Sequence, residues 1–282
     1  MTQEEALKAL EKVIGAYQEQ VEREFLARWN GWTKGAATTE VHEVVGALLA
    51  RQATFATQFA EAPSAWNGHM APLVLRGMVD VHITLAWILK DPLDRARKFI
   101  AYGLGQEKLA LEHLKAAVKE RGKDPDKDPG IRAHEGWINS QRFTFLTEVN
   151  IGSWSGIDAR KMAEEAGCLE LYRRAYLPYS SATHSMWNHI AKYNLRHCEN
   201  PLHRYHRVPS SPPMSFEFEY IHGAANYLER TFKLFDEYAR LEVPGEGAVH
   251  LLVNGLRAIQ DQTKDKAAED AVEVRANSDS GD

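Results

Sequence analysis

The chain has 282 residues, is 44% hydrophobic and 26% charged, and carries a net charge of −5 at pH 7. That length can bury a substantial core in one large domain or two small ones, and the composition is that of an ordinary globular protein. Two cysteines, Cys168 and Cys198, cannot by themselves make a disulfide framework or a zinc site. The charge is uneven: residues 261–282 carry seven acids against Lys264, Lys266 and Arg275, so the first 260 residues are close to neutral. The acidity of the whole therefore does not argue against a nucleic-acid partner. No apolar run reaches the roughly 20 residues of a membrane span, because Arg76, Asp80 and His82 interrupt the best candidate. The N-terminus lacks a basic-then-apolar leader. A cytoplasmic protein with no membrane contact is expected.

Almost every stretch reads at helical spacing. Thr2 with Glu5 forms a capping-box pattern that opens a helix to about Trp29, ended by Asn30-Gly31. Thr38 or Thr39 caps a second, to about Glu61, with Val41, Val44, Val45, Leu48 and Leu49 on one side. Pro63 and Asn67-Gly68 break the chain, and Pro72 fits the first turn of an apolar helix to Leu89. Asp91-Pro92 starts the next, to Arg121, before the Gly122–Gly130 loop. This loop is either a subdomain boundary or a surface connection. Helices follow at Ile131–Glu148, Asp158–Ala166 with Gly167 as C-cap, and Leu169–Asn194 with a kink or restart at Pro178. Asn200–Pro213, rich in proline, reads as a long loop. Ser215 caps a helix to Arg240, and Val249–Ile259 forms the last short one. The expected fold is all-α, an irregular bundle of about eight helices in a single domain over 1–260, with a flexible acidic tail at 261–282.

Arg76 and Asp80 are charges in the most apolar helix of the chain. They are four residues apart, so they can pair, and a buried charge must be paired or it costs several kcal/mol. A structural ion pair that fixes helix register is one reading. An anion-binding arginine, or a carboxylate that orients a histidine, is the other. His82 follows Arg76 by six residues, within the Arg-x4–6-His spacing of HEPN-type ribonucleases, which act on the scissile phosphate without metal. On a regular helix the two lie about 120° apart, so a lone core histidine is the simpler expectation for His82. Ser180 and His184 are also four apart and can hydrogen-bond, and with Asp80 they have the residue types of a hydrolase triad, although no nucleophile-elbow sequence accompanies them. Lys192, Arg196, His203, Arg204, His206 and Arg207, interleaved with aromatics, suit phosphate contact and base stacking, or form a solvated basic loop. His203 and His206 without further ligands make a weak metal pair, and neither metal nor cofactor is expected.

Two segments resemble the signatures of a bacterial family, domain-of-unknown-function family 5677. The first is Arg76-x3-Asp80 in an apolar helix ending Trp87-Ile-Leu-x-Asp-Pro92, followed by Arg95-Ala96-x2-Phe99-x2-Tyr102. The second is Tyr176-x3-Ser180-x3-His184. The resemblance spans about residues 40–200, with signatures in 70–122 and 158–197. It implies an all-helical fold in which Arg76, Asp80, Ser180 and His184 meet in one polar cluster. Asp80 stands where glutamate is more usual, and Pro178-Tyr179 interrupts the second signature's helix. The family has no settled activity. The expectation is an intracellular bacterial module that binds a protein partner or itself. A ribonuclease-like effector of stress or phage defence, touching RNA through 192–207, is the alternative, and a Ser/His hydrolase the second.

Overall fold

The computed structural model describes residues 2–32, 39–141 and 153–279. They form helices α1 (Gln3–Gly31), α2 (Thr39–Ala60), α3 (Ala71–Ile88), α4 (Pro92–Glu120), α5 (Pro129–Ser140), α6 (Ala159–Ala166), α7 (Leu169–Leu171), α8 (Leu177–Thr183), α9 (Trp187–Tyr193), α10 (Phe218–Ala239) and α11 (Ala248–Asp279). The only sheet among them is one antiparallel pair, β1 (Leu195–His197) and β2 (Arg207–Pro209). The fold is all-α.

Local chemistry sets many of these boundaries. Thr2 and Glu5 make the reciprocal capping box that opens α1. Asn67 Oδ1 accepts from the backbone of His69 and Met70 and so opens α3, whose second residue is Pro72. Asp158 caps α6, and Gly167 closes it at φ +79°, a left-handed position that costs glycine nothing. Asp91 precedes α4 but makes no side-chain cap. Ser215 likewise does not cap α10, which begins after Glu217.

Three expectations change. The single helix over 169–194 is instead α7, a π-helical turn at Tyr172–Tyr176, α8 and α9. Pro178 has no N–H for the carbonyl four residues earlier and its ring crowds that carbonyl, and the widened turn accommodates both. A second break follows at Ser185, at φ +49°. The Asn200–Pro213 stretch is partly ordered, because Arg207–Pro209 pairs with Leu195–His197 in the register Leu195↔Pro209. The last helix does not stop at Ile259 but runs to Asp279, through an alanine- and aspartate-rich stretch that contains no glycine or proline to break it. The Glu148 end of the expected fifth helix, Thr38 and residues 280–282 lie outside the described residues.

The chain packs as two compact units. One comprises residues 1–33, 49–82 and 173–282; the other, 34–48 and 83–172. The Gly122–Gly130 loop falls inside the second unit and does not divide the two.

In the first unit α1 packs along α11, where a Cβ on Gly255 would lie 2.7 Å from Val13. Tyr17 and Val21 of α1 are fully buried. Arg28 makes a two-pronged bond to Asp236 of α10, at 2.9 and 2.8 Å. Glu24 accepts the first N–H of α11, from Ala248, at 2.6 Å, and so caps that helix from across the unit. Trp66, fully buried, packs between Phe59 and Phe218.

In the second unit Leu111 and Val118 of α4 bury against Ile131 and Ile138 of α5. Trp87 and Phe99 both meet Trp154 edge-on, while Arg95 lies over the Trp87 ring. Among the described residues α3 is long and apolar enough by composition to cross a membrane. It is 67% buried within the chain, as a core helix is.

Candidate functional site

The centre of the site is Arg76, one helical turn before Asp80 on α3. Its Nε donates to Ser180 Oγ at 3.0 Å, and its Nη1 is ion-paired with Asp80 Oδ2. The guanidinium carbon lies over the Tyr176 ring, 3.2 Å from its centroid. Ser180 in turn donates to the Tyr176 carbonyl at 2.7 Å. Residues 176 and 180 share a face of the α8 helix, four apart, so one side of that helix offers Arg76 both an aromatic plane and a hydroxyl.

The electrostatics follow from burial. The Arg76 side chain is 12% exposed and Asp80 is 49% exposed. Desolvation pushes the Asp80 carboxyl above its usual range, against the Arg76 guanidinium, which pulls it down. Arg76 is thus engaged at its edge, at one terminal nitrogen and on its face. The Ser180 hydroxyl is committed as a donor to a carbonyl.

His184 is not joined to this cluster. It is exposed and caps the end of α8, where its backbone N–H donates to the Ser180 carbonyl at 3.0 Å, but among the described residues its ring makes no hydrogen bond to Arg76, Asp80 or Ser180. The reason is local: the helix ends at Thr183 and turns at Ser185, so the ring sits beyond the last turn and not on the Tyr176–Ser180 face. A Ser180–His184–Asp80 relay is therefore not assembled.

His82 is elsewhere in the core. Its Nδ1 meets Thr231 Oγ1 of α10 at 3.1 Å; that hydroxyl donates to the Tyr227 carbonyl and accepts from Gln52. With the hydroxyl proton committed, Nδ1 is the donor and His82 is neutral. Burial, reinforced by Arg230, lowers its pKa to about 4. This is a satisfied core histidine, and it does not share a substrate position with Arg76.

The basic residues of 192–207 lie on the surface and bond among themselves. Arg196 pairs with Glu199 at 2.6 Å, Arg207 donates to the Ala191 carbonyl, and Lys192 and Arg204 lie over Tyr193 and Tyr205. His203 and His206 stand ring to ring beside Cys198.

Sequence reasoning overlooked two features. Tyr176 is the stacking floor of Arg76, and its four-residue offset from Ser180 was the available signal. His69, His189 and Tyr193 form an aromatic cluster with ring centroids 4.8–5.5 Å apart, packed so tightly that a Cβ on Gly68 would lie 2.5 Å from Tyr193. Burial, with help from His69 and Lys192, lowers the His189 pKa. No sequence spacing marks that contact, because residues 68–69 and 189–193 meet only through the fold.

The two stretches that carry the polar residues also bear on ancestry. No curated protein and no solved structure matches the chain. The model of a family of unknown function, DUF5677, matches residues 42–201, which include Arg76, Asp80, Tyr176, Ser180 and His184. This match covers more than half of the chain, and the chain belongs to that family.

Proposed function

We propose that this protein is a non-catalytic, cytoplasmic bacterial module that binds a protein partner, with Arg76, Asp80, Tyr176 and Ser180 holding α3 to α8. The observation that carries the reading is the state of Ser180 and Arg76. A nucleophile needs a base to take its proton, yet the Ser180 hydroxyl donates its hydrogen bond to a backbone carbonyl and its oxygen faces a cation. An anion-binding arginine turns its N–H groups toward a ligand, whereas here Nε donates to Ser180, Nη1 is paired with Asp80 and the guanidinium carbon lies over the Tyr176 ring.

The recognition surface in this reading is the stretch from α8 to the hairpin. Leu177, Met186, Trp187, Leu202 and Tyr205 are exposed there beside Arg204 and Arg207. Large exposed apolar side chains flanked by cations suit an acidic protein segment that also carries apolar anchors.

The test combines RNA cleavage, melting and crosslinking. Wild type, Arg76→Ala and His184→Ala are incubated with single-stranded and structured RNA, and each is melted. No cleavage by wild type, a lowered Tm for Arg76→Ala and an unchanged Tm for His184→Ala are expected. Cleavage by wild type that is lost in His184→Ala at unchanged Tm would replace this reading with the ribonuclease one. A photocrosslinking side chain at Trp187 is expected to yield a discrete protein adduct in cells, absent when the same group is placed at Leu114. Crosslinks to RNA alone would overturn the choice of partner.

A further inference from the structure

The hairpin places three strong metal ligands on one small patch. Strand pairing continues past β1 and β2, since Cys198 N–H donates to the His206 carbonyl at 3.0 Å. Extending the register Leu195↔Pro209, Arg196↔Val208, His197↔Arg207 by one step sets Cys198 opposite His206. Directly opposed residues in an antiparallel pair project their side chains to the same face. The loop between them turns back through the bonds His203 N–H to Asn200 O and His206 N–H to His203 O, both 3.0 Å. These turns bring His203 in beside the other two.

The donor atoms of Cys198, His203 and His206 all lie within 4.8 Å of one another. Cys198 Sγ is already 3.7 Å from His203 Nδ1. A tetrahedral zinc with ordinary Zn–S and Zn–N bonds separates sulfur from nitrogen by about 3.6 Å. The two imidazole rings stand 5.3 Å apart at their centroids. One thiolate and two imidazoles form a donor set suited to zinc, with harder metals such as magnesium or calcium disfavoured.

We propose that Cys198, His203 and His206 form a zinc site, with a fourth position open to water. Binding releases the Cys198 thiol proton to solvent and uses the unprotonated nitrogen of each neutral imidazole. With His203 bound through Nδ1, the nitrogen nearest Cys198 Sγ, its ring proton sits on Nε2, 3.3 Å from the Asn200 side-chain amide, whose oxygen accepts it once that amide turns. Glu199 already neutralises Arg196 next to the site, which lowers the cost of adding a cation there. The metal would clip the ends of the 198–206 loop together, whatever the hairpin binds.

The experiment uses the full chain, stripped of metal, with Zn²⁺ titrated against a chromophoric chelator and Co²⁺ as a spectroscopic probe. One Zn²⁺ per chain is expected. Affinity is expected to fall about 100-fold or more in Cys198→Ser, His203→Ala and His206→Ala, since even outer-shell partners contribute 10–100-fold. Cys168→Ser and His197→Ala are expected to bind as wild type does. The Co²⁺ complex should show a thiolate charge-transfer band that Cys198→Ser abolishes. Metal-free Tm values and circular dichroism should coincide for all variants, because the three side chains are on the surface. Unchanged binding in the three ligand variants, or one metal per two chains with loss of monomer, would overturn the site.

Discussion

Replacing Arg76 by lysine is the sharpest test of the polar cluster, because it keeps the charge and removes the geometry. The Nε–H bond to Ser180 is charge-assisted and nearly buried, worth about 2 kcal/mol. Stacking over Tyr176 at 3.2 Å adds about 1 kcal/mol. The Asp80 partner is half-exposed, so after solvent screening the ion pair contributes under about 0.5 kcal/mol. Arg76→Ala should therefore cost about 3 kcal/mol. Arg76→Lys, which keeps the ion pair but has neither the fork nor the planar face, should cost nearly as much, about 2.5–3 kcal/mol. At this chain length about 3 kcal/mol lowers Tm by roughly 6 °C. Urea unfolding followed by tryptophan fluorescence and circular dichroism together gives the values, provided the two curves coincide. Ser180→Ala alone should cost about 1–2 kcal/mol, because it orphans a buried guanidinium nitrogen, and the Arg76→Ala/Ser180→Ala double variant should cost less than the sum of the singles. A lysine variant within about 0.5 kcal/mol of wild type, or strict additivity in the cycle, would refute the account.

Two further outcomes follow from burial. His82 titrates at about 4 in the folded chain against an ordinary 6.5, so between these values the unfolded state holds the extra proton. Its contribution is fully present above pH 6.5 and is lost as pH falls toward 4, by up to about 3 kcal/mol. Urea midpoints at pH 7, 5.5 and 4 should fall more steeply for wild type than for His82→Gln, and parallel slopes would count against the buried neutral ring. Along the α1–α11 seam, Gly255→Ala drives a methyl to 2.7 Å from Val13 and should cost about 1–3 kcal/mol. Gly15→Ala on α1 meets nothing within 4 Å and should be neutral or stabilising by up to about 1 kcal/mol. Thermal melts of the pair decide this, and equal Tm values would refute the seam.

Helix positions up to residue 140 were largely legible in the sequence, because Thr2, Pro72 and Pro92 are strong local punctuation and the apolar spacing between them is regular. The pairing of Arg76 with Asp80 was legible for the same reason, being four apart on one helix. Its link to Ser180, a hundred residues downstream, came from a resemblance and not from periodicity. His184 was placed in the cluster by the same resemblance, and its spacing from Ser180 presumes a continuous helix, which the turn at Ser185 ends. The ligand triad was partly visible: His203 and His206 stood out, but Cys198 was set aside as one of only two cysteines, and the strand pairing that sets it opposite His206 has no local signal in so proline-rich a stretch. Ion-pair partners such as Arg28 and Asp236 carry no sequence signal at all, since only tertiary packing brings them together.

The π-helical turn at Tyr172–Tyr176 has a consequence for how this segment tolerates change. Such a turn is, in chain-length terms, one residue more than the regular helix needs. It shifts the phase of everything after it by about 100°, so the faces of 169–171 and 177–183 are set independently. Removing one residue from the turn would let the helix close up regularly while rotating the tyrosine–serine face away from its arginine. A one-residue deletion here should thus preserve helicity and abolish the cluster, whereas elsewhere on the same helix it would be expected to disturb both. The segment is in this sense a stored insertion.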